Sequence, residues 1–215
     1  QPMTASRDFA LRTTPTFMAG SLLVANAISD SVLIYRGSSC VAEHVAQTFQ
    51  FHDFAHGLSP NRDNGRVVLT MDPDTASVMG TSDAVELAAE WVLKNRRVGV
   101  LLLSELCRYT LMGESLEGLA GRLRAMTGQA CVPALAGTIE RDFTGAFSSL
   151  SKGLAEAVVS EAEARPTEGK VAVIGYLFSR NEGDAKGDIL ELRRMLEALD
   201  LDLCSLWFCG GRWED

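Results

Sequence analysis

Val98-Gly99-Val100-Leu101-Leu102-Leu103 is an unbroken apolar run set between Arg96-Arg97 and Ser104-Glu105. A strand with one wet face alternates apolar and polar residues. A run without a polar break has both faces covered, which is the pattern of a central strand in a parallel sheet. This segment is expected at mid-sheet, and its neighbours in sequence supply the covering layers. Upstream, Val85, Ala88, Ala89 and Val92 recur at helical spacing within Asp83 to Lys94, so one helix face meets the sheet. Asp83 and Glu86 suit the positive end of that helix. Downstream, Leu116 to Met126 repeats the pattern with Leu116, Leu119, Ala120 and Leu123 inward, and Ala130 to Leu135 reads as the next strand.

The same rhythm begins earlier and continues later. Ser31 to Tyr35 (SVLIY) reads as a buried strand, Gly37-Ser38-Ser39 as a tight turn and Val41 to Phe49 as a helix. Val67 to Thr70 and Ala76 to Met79 are short strand candidates around the turn residues Asp72-Pro73-Asp74. Phe147 to Ala164 reads as a long helix that Pro166-Thr167-Glu168-Gly169 breaks, since proline cannot continue a helix and glycine frees the backbone. Lys170 to Tyr176 then forms a fresh strand, Ile189 to Leu199 a helix and Leu203 to Phe208 a further strand. The class is α/β: a Rossmann-like parallel sheet with helices on both faces over 1–165, followed by the start of a second similar domain over 166–215. That second unit leaves a sheet edge open, so either the chain is a shortened one or association covers the edge, and an oligomer is expected.

Composition narrows the function classes. With 47% hydrophobic residues the chain can bury a core, and 215 residues accommodate one large domain or one plus a fragment. A net charge of −8 opposes the polyanionic backbone of nucleic acids, so no nucleic-acid binding is expected. No apolar stretch approaches the roughly 20 residues of a membrane span, and residues 1–12 lack the continuous apolar core of a secretory signal, so a cytoplasmic location is expected. Five scattered cysteines, Cys40, Cys107, Cys131, Cys204 and Cys209, read as free thiols or metal ligands rather than disulfide staples.

Standard motifs are missing. No window matches the P-loop, the dinucleotide glycine fingerprint, the G-x-S-x-G nucleophile turn or H-E-x-x-H. His52 and His56 stand four apart around Asp53, but His56-Gly57-Leu58-Ser59-Pro60 favours a solvated loop over a zinc pair. Cys204 and Cys209 have a C-x4-C spacing, yet Cys204 falls in an apolar strand pattern and is expected in the core, as is Cys131 within Ala130-Cys131-Val132. Cys40 differs because it stands where a strand hands over to a helix, and there amide groups and the helix dipole favour a thiolate. Cys107 holds the corresponding place after the mid-sheet strand. In a parallel sheet such strand ends gather at one edge, the usual ligand position. Two sulfurs fall short of the four thiolates a cubane usually takes.

The segments Met18-Ala19-Gly20-Ser21, Gly37-Ser38-Ser39-Cys40, Val78-Met79-Gly80-Thr81-Ser82, Leu103-Ser104-Glu105, Val132-Pro133 and Phe143-Thr144-Gly145 follow one another in a distinctive order. Val173-Ile174-Gly175-Tyr176, Glu182-Gly183-Asp184 and Leu206-Trp207-Phe208-Cys209-Gly210-Gly211 extend the series. This order resembles the component 1 subunits of nitrogenase-like reductases, the family of the nitrogenase molybdenum-iron protein and dark-operative protochlorophyllide reductase. The resemblance implies a stack of Rossmann-like domains and an iron-sulfur cluster at an interface with a homologous component 1 subunit. It also implies electrons delivered by a separate ATP-dependent iron protein. Family members are considerably longer, which makes this chain similar to their first domain and the opening of the second.

Of the family's three cluster-cysteine positions in the first domain, Cys40 matches the second. Thr16 and Phe17 stand at the first, and Leu106 stands at the third with Cys107 one residue late. Cys40 and Cys107 are thus the candidate metal and cofactor ligands. The glutamine and histidine that nitrogenase members carry beside their metal cofactor are matched by Ser148 and Lys152, so dinitrogen reduction is not expected. Lys152 then reads as a solvated helix residue. Two main readings stay open: a subunit of a nitrogenase-like oxidoreductase that shares an iron-sulfur electron-transfer site, and a cluster-free scaffold, assembly or binding protein of the same fold. The fold alone would also suit a flavodoxin-like small-molecule binder.

Overall fold

The computed structural model describes residues 17–37, 65–71, 82–135, 143–158, 167–174 and 185–213. The elements are α1 (Phe17–Ala27), β1 (Ser31–Arg36), β2 (Val67–Leu69), α2 (Ser82–Asn95), β3 (Val100–Glu105) and α3 (Cys107–Leu111). They continue with α4 (Leu116–Thr127), β4 (Cys131–Pro133), α5 (Phe143–Val158), β5 (Lys170–Val173), α6 (Ala185–Glu197) and β6 (Asp202–Leu206). A parallel four-stranded sheet has the order β2-β1-β3-β4, so the two most apolar strands occupy its middle. Every residue of β1 and β3 is buried, as the unbroken apolar pattern requires.

The pleat sorts the side chains onto two cores. Leu33, Tyr35, Val100, Leu102 and Val132 face the layer of α1 and α5, where Leu22, Val24, Ala146, Leu150 and Leu154 meet them. Val32, Ile34, Leu101, Leu103 and Cys131 face the layer of α2 and α4, against Val85, Ala89, Val92, Leu119 and Leu123. Helices therefore cover both faces of the α/β sheet. Strand β3 is displaced two residues from the apolar run that announces it. Gly99 N donates to Asp30 O outside the ladder, whereas Ser104 and Glu105 pair with Tyr35 and Arg36.

After the breaker around Gly169, β5 and β6 form a separate parallel pair with α6 between them in sequence. A bulge falls there: Val171 pairs with Leu203 and Ala172 with Ser205, so Cys204 is the extra residue. The segment after β6 returns to the first unit, where Gly210 N donates to Ala27 O at 2.9 Å and Trp213 N to Asp30 Oδ1 at 2.7 Å. Phe208 packs its ring tilted against that of Phe147 of α5, with centroids 5.5 Å apart. No helix among the described residues is long and apolar enough to cross a membrane. The turn at 38–39, the helix expected over 41–49, the strand over 76–79 and His52 and His56 lie outside the described residues.

Candidate functional site

The carboxyl edge of a parallel sheet is where such folds place ligands, and here that edge carries buried charge. Arg36 ends β1 and Glu105 ends β3, paired directly in register. Both are shut away from water, at 2% and 4% exposure, with Arg36 Nη1 3.6 Å from Glu105 Oε2. Ladder contact continues one step further, since Leu106 N donates to Arg36 O at 3.0 Å. Tyr35 O–H donates to Glu105 O at 3.3 Å, and Thr110 O–H donates to Glu105 Oε1 at 2.9 Å.

The next five residues make α3, a single turn too short to persist alone. Its N-cap is Leu106, in extended geometry and with no side-chain cap bond. Gly113, at a φ of 76°, lets the chain reverse where a side chain would be strained. Ser115 then accepts from Gly118 N at 2.9 Å to start α4. That reversal brings Glu114 back onto Arg36, which donates to its carboxylate through Nη2. The Arg36 guanidinium also lies 4.0 Å from the centroid of the fully buried Tyr109 ring, and Arg108 lies 4.8 Å from the same ring and donates to its hydroxyl. Two guanidiniums thus share one small region with two carboxylates. Removing one member would leave its partner charged and buried.

The two candidate thiols relate to this cluster differently. Cys107 is the first residue of α3, two beyond Glu105. Cys40 is four residues beyond Arg36 and lies outside the described residues. Because β1 and β3 are adjacent and parallel, the segments bearing the two cysteines leave the sheet from neighbouring strand ends at one edge. Of the residues at the other family positions, Thr16 lies outside the described residues, Phe17 is buried in the core with α5, and Leu106 packs against the same cluster.

The remaining cysteines divide. Cys131 is buried on β4 as expected, and desolvation pushes its thiol from 9.0 up to about 12, partly offset by Arg124. Cys204 is not in the core: it is exposed on the same open side of β6 as Asp202, with its thiol 3.3 Å from Val171 O. Cys204 and Cys209 line a cavity of about 760 Å³ alongside β6 and the last turns of α1 and α5, with Trp207, Trp213, Arg193 and Arg212. On α5, Ser148 is exposed, and Lys152 is 78% exposed with only a surface pairing to Glu156 at 3.8 Å. Among the described residues no three His, Cys, Asp or Glu side chains come together as a metal site.

Sequence comparison decides the ancestry: the profile of the family described as nitrogenase component 1 type oxidoreductase matches residues 16–215. The chain belongs to that family. Solved structures of the component 1 fold agree. "Nitrogenase Cp1 at pH 5" superposes with a TM-score of 0.70 at 14% identity, covering 94% of this chain and 40% of that one. "Nitrogenase Cp1 at pH 6.5" gives 0.69 at 15% identity, covering 94% and 38%. At such identities the likeness establishes the fold. The chain spans about two fifths of the length of these solved component 1 structures. No curated protein matches the sequence.

The family is associated with iron-sulfur chemistry, and the donors here suit part of a ligand set. Thiolates are the ligands such clusters take, and the strands that precede Cys40 and Cys107 in sequence end beside each other at one sheet edge. Cys131, with its raised thiol on β4, is chemically unsuited to join them.

Proposed function

We propose that this chain is a subunit of a nitrogenase-like reductase in which Cys40 and Cys107 contribute ligands to an iron-sulfur cluster shared with a homologous component 1 subunit. An ATP-dependent iron protein would be the electron donor. The observation that carries the reading is the register Arg36 opposite Glu105, which ends, at one sheet edge, the two strands that precede Cys40 and Cys107 in sequence. When bound, the cluster would supply one-electron relay chemistry. This chain's part is to hold thiolates at the edge, to keep the charge beside them balanced through Arg36, Arg108, Glu105 and Glu114, and to pack that edge from below with Phe17 and Leu106.

One observation favours a second reading, a cluster-free scaffold or assembly protein. Two of the three family cysteine positions hold other residues, Thr16 and Phe17 at the first and Leu106 at the third, and of these Phe17 and Leu106 serve packing. Anaerobic purification of the chain together with its co-expressed partner separates the two. The redox reading predicts bound iron and inorganic sulfide with sulfur-to-iron charge-transfer absorption. A colourless, iron-free complex would establish the scaffold reading.

A further inference from the structure

The cavity of about 760 Å³ lies toward the opposite end of β1 from Arg36, since Ala27 and Ile28, which line it, come just before that strand begins. Its volume is that of a small-molecule site. Ile28, Leu154, Val158 and Leu206 give it apolar walls, and the segment from Trp207 to Trp213 that returns to the first unit closes one side. That segment is anchored: Ser29 N donates to Gly211 O at 2.7 Å and Gly210 N to Ala27 O at 2.9 Å. These bonds tie the walls to one another, so the cavity is built into the fold.

The charge of the lining runs against that of the molecule. Among the described residues the charged side chains that line it are Arg193 and Arg212, with no carboxylate beside them, although the whole chain carries a net charge of −8. Arg212 Nε stands 3.5 Å from Asp30 Oδ2, outside the lining, and Arg193 has no ion-pair partner among the described residues. Two cations at one cavity with apolar walls favour an anion there. Trp207 and Trp213 pack on the core, yet both stay half-exposed and line the same cavity. An indole offers a flat apolar face, and a guanidinium a planar fork that matches carboxylate or phosphate oxygens. We propose that this cavity binds a small aromatic anion, with its ring against Trp207 and Trp213 and its carboxylate or phosphate oxygens held by Arg193 and Arg212. The site shares no residue with the sheet edge of Arg36 and Glu105 and does not depend on a cluster there.

The test uses the full chain carrying Trp91→Phe, so that indole fluorescence reports on Trp207 and Trp213 alone. Titration with naphthoate is expected to quench that emission saturably and to slow alkylation of the half-buried Cys209, read by peptide mass spectrometry. The uncharged naphthamide is expected to bind about tenfold more weakly, the worth of one charge-assisted hydrogen bond. Arg193→Gln, and more so the pair Arg193→Gln with Arg212→Gln, should lower naphthoate affinity toward that of naphthamide and leave naphthamide affinity unchanged. Arg194→Gln, the neighbouring change at a residue that pairs with Glu191 and does not line the cavity, should alter neither. Naphthyl phosphate separates the two oxyanions: binding tighter than naphthoate assigns the site to phosphate esters, and weaker binding assigns it to carboxylates. If the double variant fails to fold, Arg193→Gln, an exposed change on α6, carries the test. Equal affinity for naphthoate and naphthamide, a charge preference undiminished by the substitutions, or no saturable binding of either anion would overturn the proposal.

Discussion

Cys131 and Cys204 show how one residue type takes opposite characters from its surroundings. Cys131 is sealed under α4 and its thiol is pushed up to about 12, whereas Cys204 sits exposed at a bulge. In the native protein, alkylation at mildly alkaline pH is expected to label Cys204 and spare Cys131, as peptide mass spectrometry would show. Prompt labelling of Cys131 would contradict its burial. The same shift has a thermodynamic sign. The unfolded chain ionises this thiol above about pH 9, and the folded chain holds the proton until about pH 12. Its contribution is therefore full below pH 9 and is lost as the pH rises toward 12. Urea midpoints should fall more steeply through that window in the parent than in Cys131→Ala, and equal slopes would contradict it. Cys131 was legible in the sequence because its apolar neighbours announce a buried strand. The exposure of Cys204 was not, since its neighbours Leu203 and Leu206 announce a covered strand, whereas the side of β6 that carries Asp202 and Cys204 is open. Arg36 was also hidden: beside a turn it reads as a surface charge, and its partners lie 69 and 78 residues away in sequence.

Among the elements, α1 and α5 approach closely at Gly20. A Cβ at Gly20 would overlap Phe143 O and stand 2.9 Å from Ala146 Cβ. Gly20→Ala must therefore spread the two helices and is expected to cost about 1 to 3 kcal/mol, the usual range for overpacking, measured by urea unfolding. A neutral or stabilising effect would mean that the helices lie further apart than described here. The α1 helix itself escaped the sequence reading. FMAGSLLVANA is apolar nearly all round because α1 is enclosed by the sheet and α5, so it lacks the polar face that makes helical periodicity visible. α3 escaped for a different reason: its five residues are too few for any periodicity, and it is held by contacts from β1 and from Glu114. The mid-sheet strands and the amphipathic α2 and α4 were legible because each has a clear inside, and their parallel order follows from the alternation of strand and helix.

At the scale of the whole molecule, the two sheets differ in how well they are covered. β1 and β3 are buried throughout, while β5 and β6 alternate exposed and half-buried residues, and Ile174, Leu190, Met195 and Leu199 stand 54% to 74% exposed. Apolar surface of this kind favours association. Light scattering at high protein concentration is expected to give a mass above the 23.2 kDa of one chain, and a strictly monomeric species would count against it. Family membership explains the fold. The most direct measurement is the iron and acid-labile sulfide content of the anaerobically purified complex, compared between the parent and Cys40→Ala. The account predicts stoichiometric iron in the parent and its loss, together with the charge-transfer absorption, in the variant. Equal iron in both, or none in the parent, would contradict it.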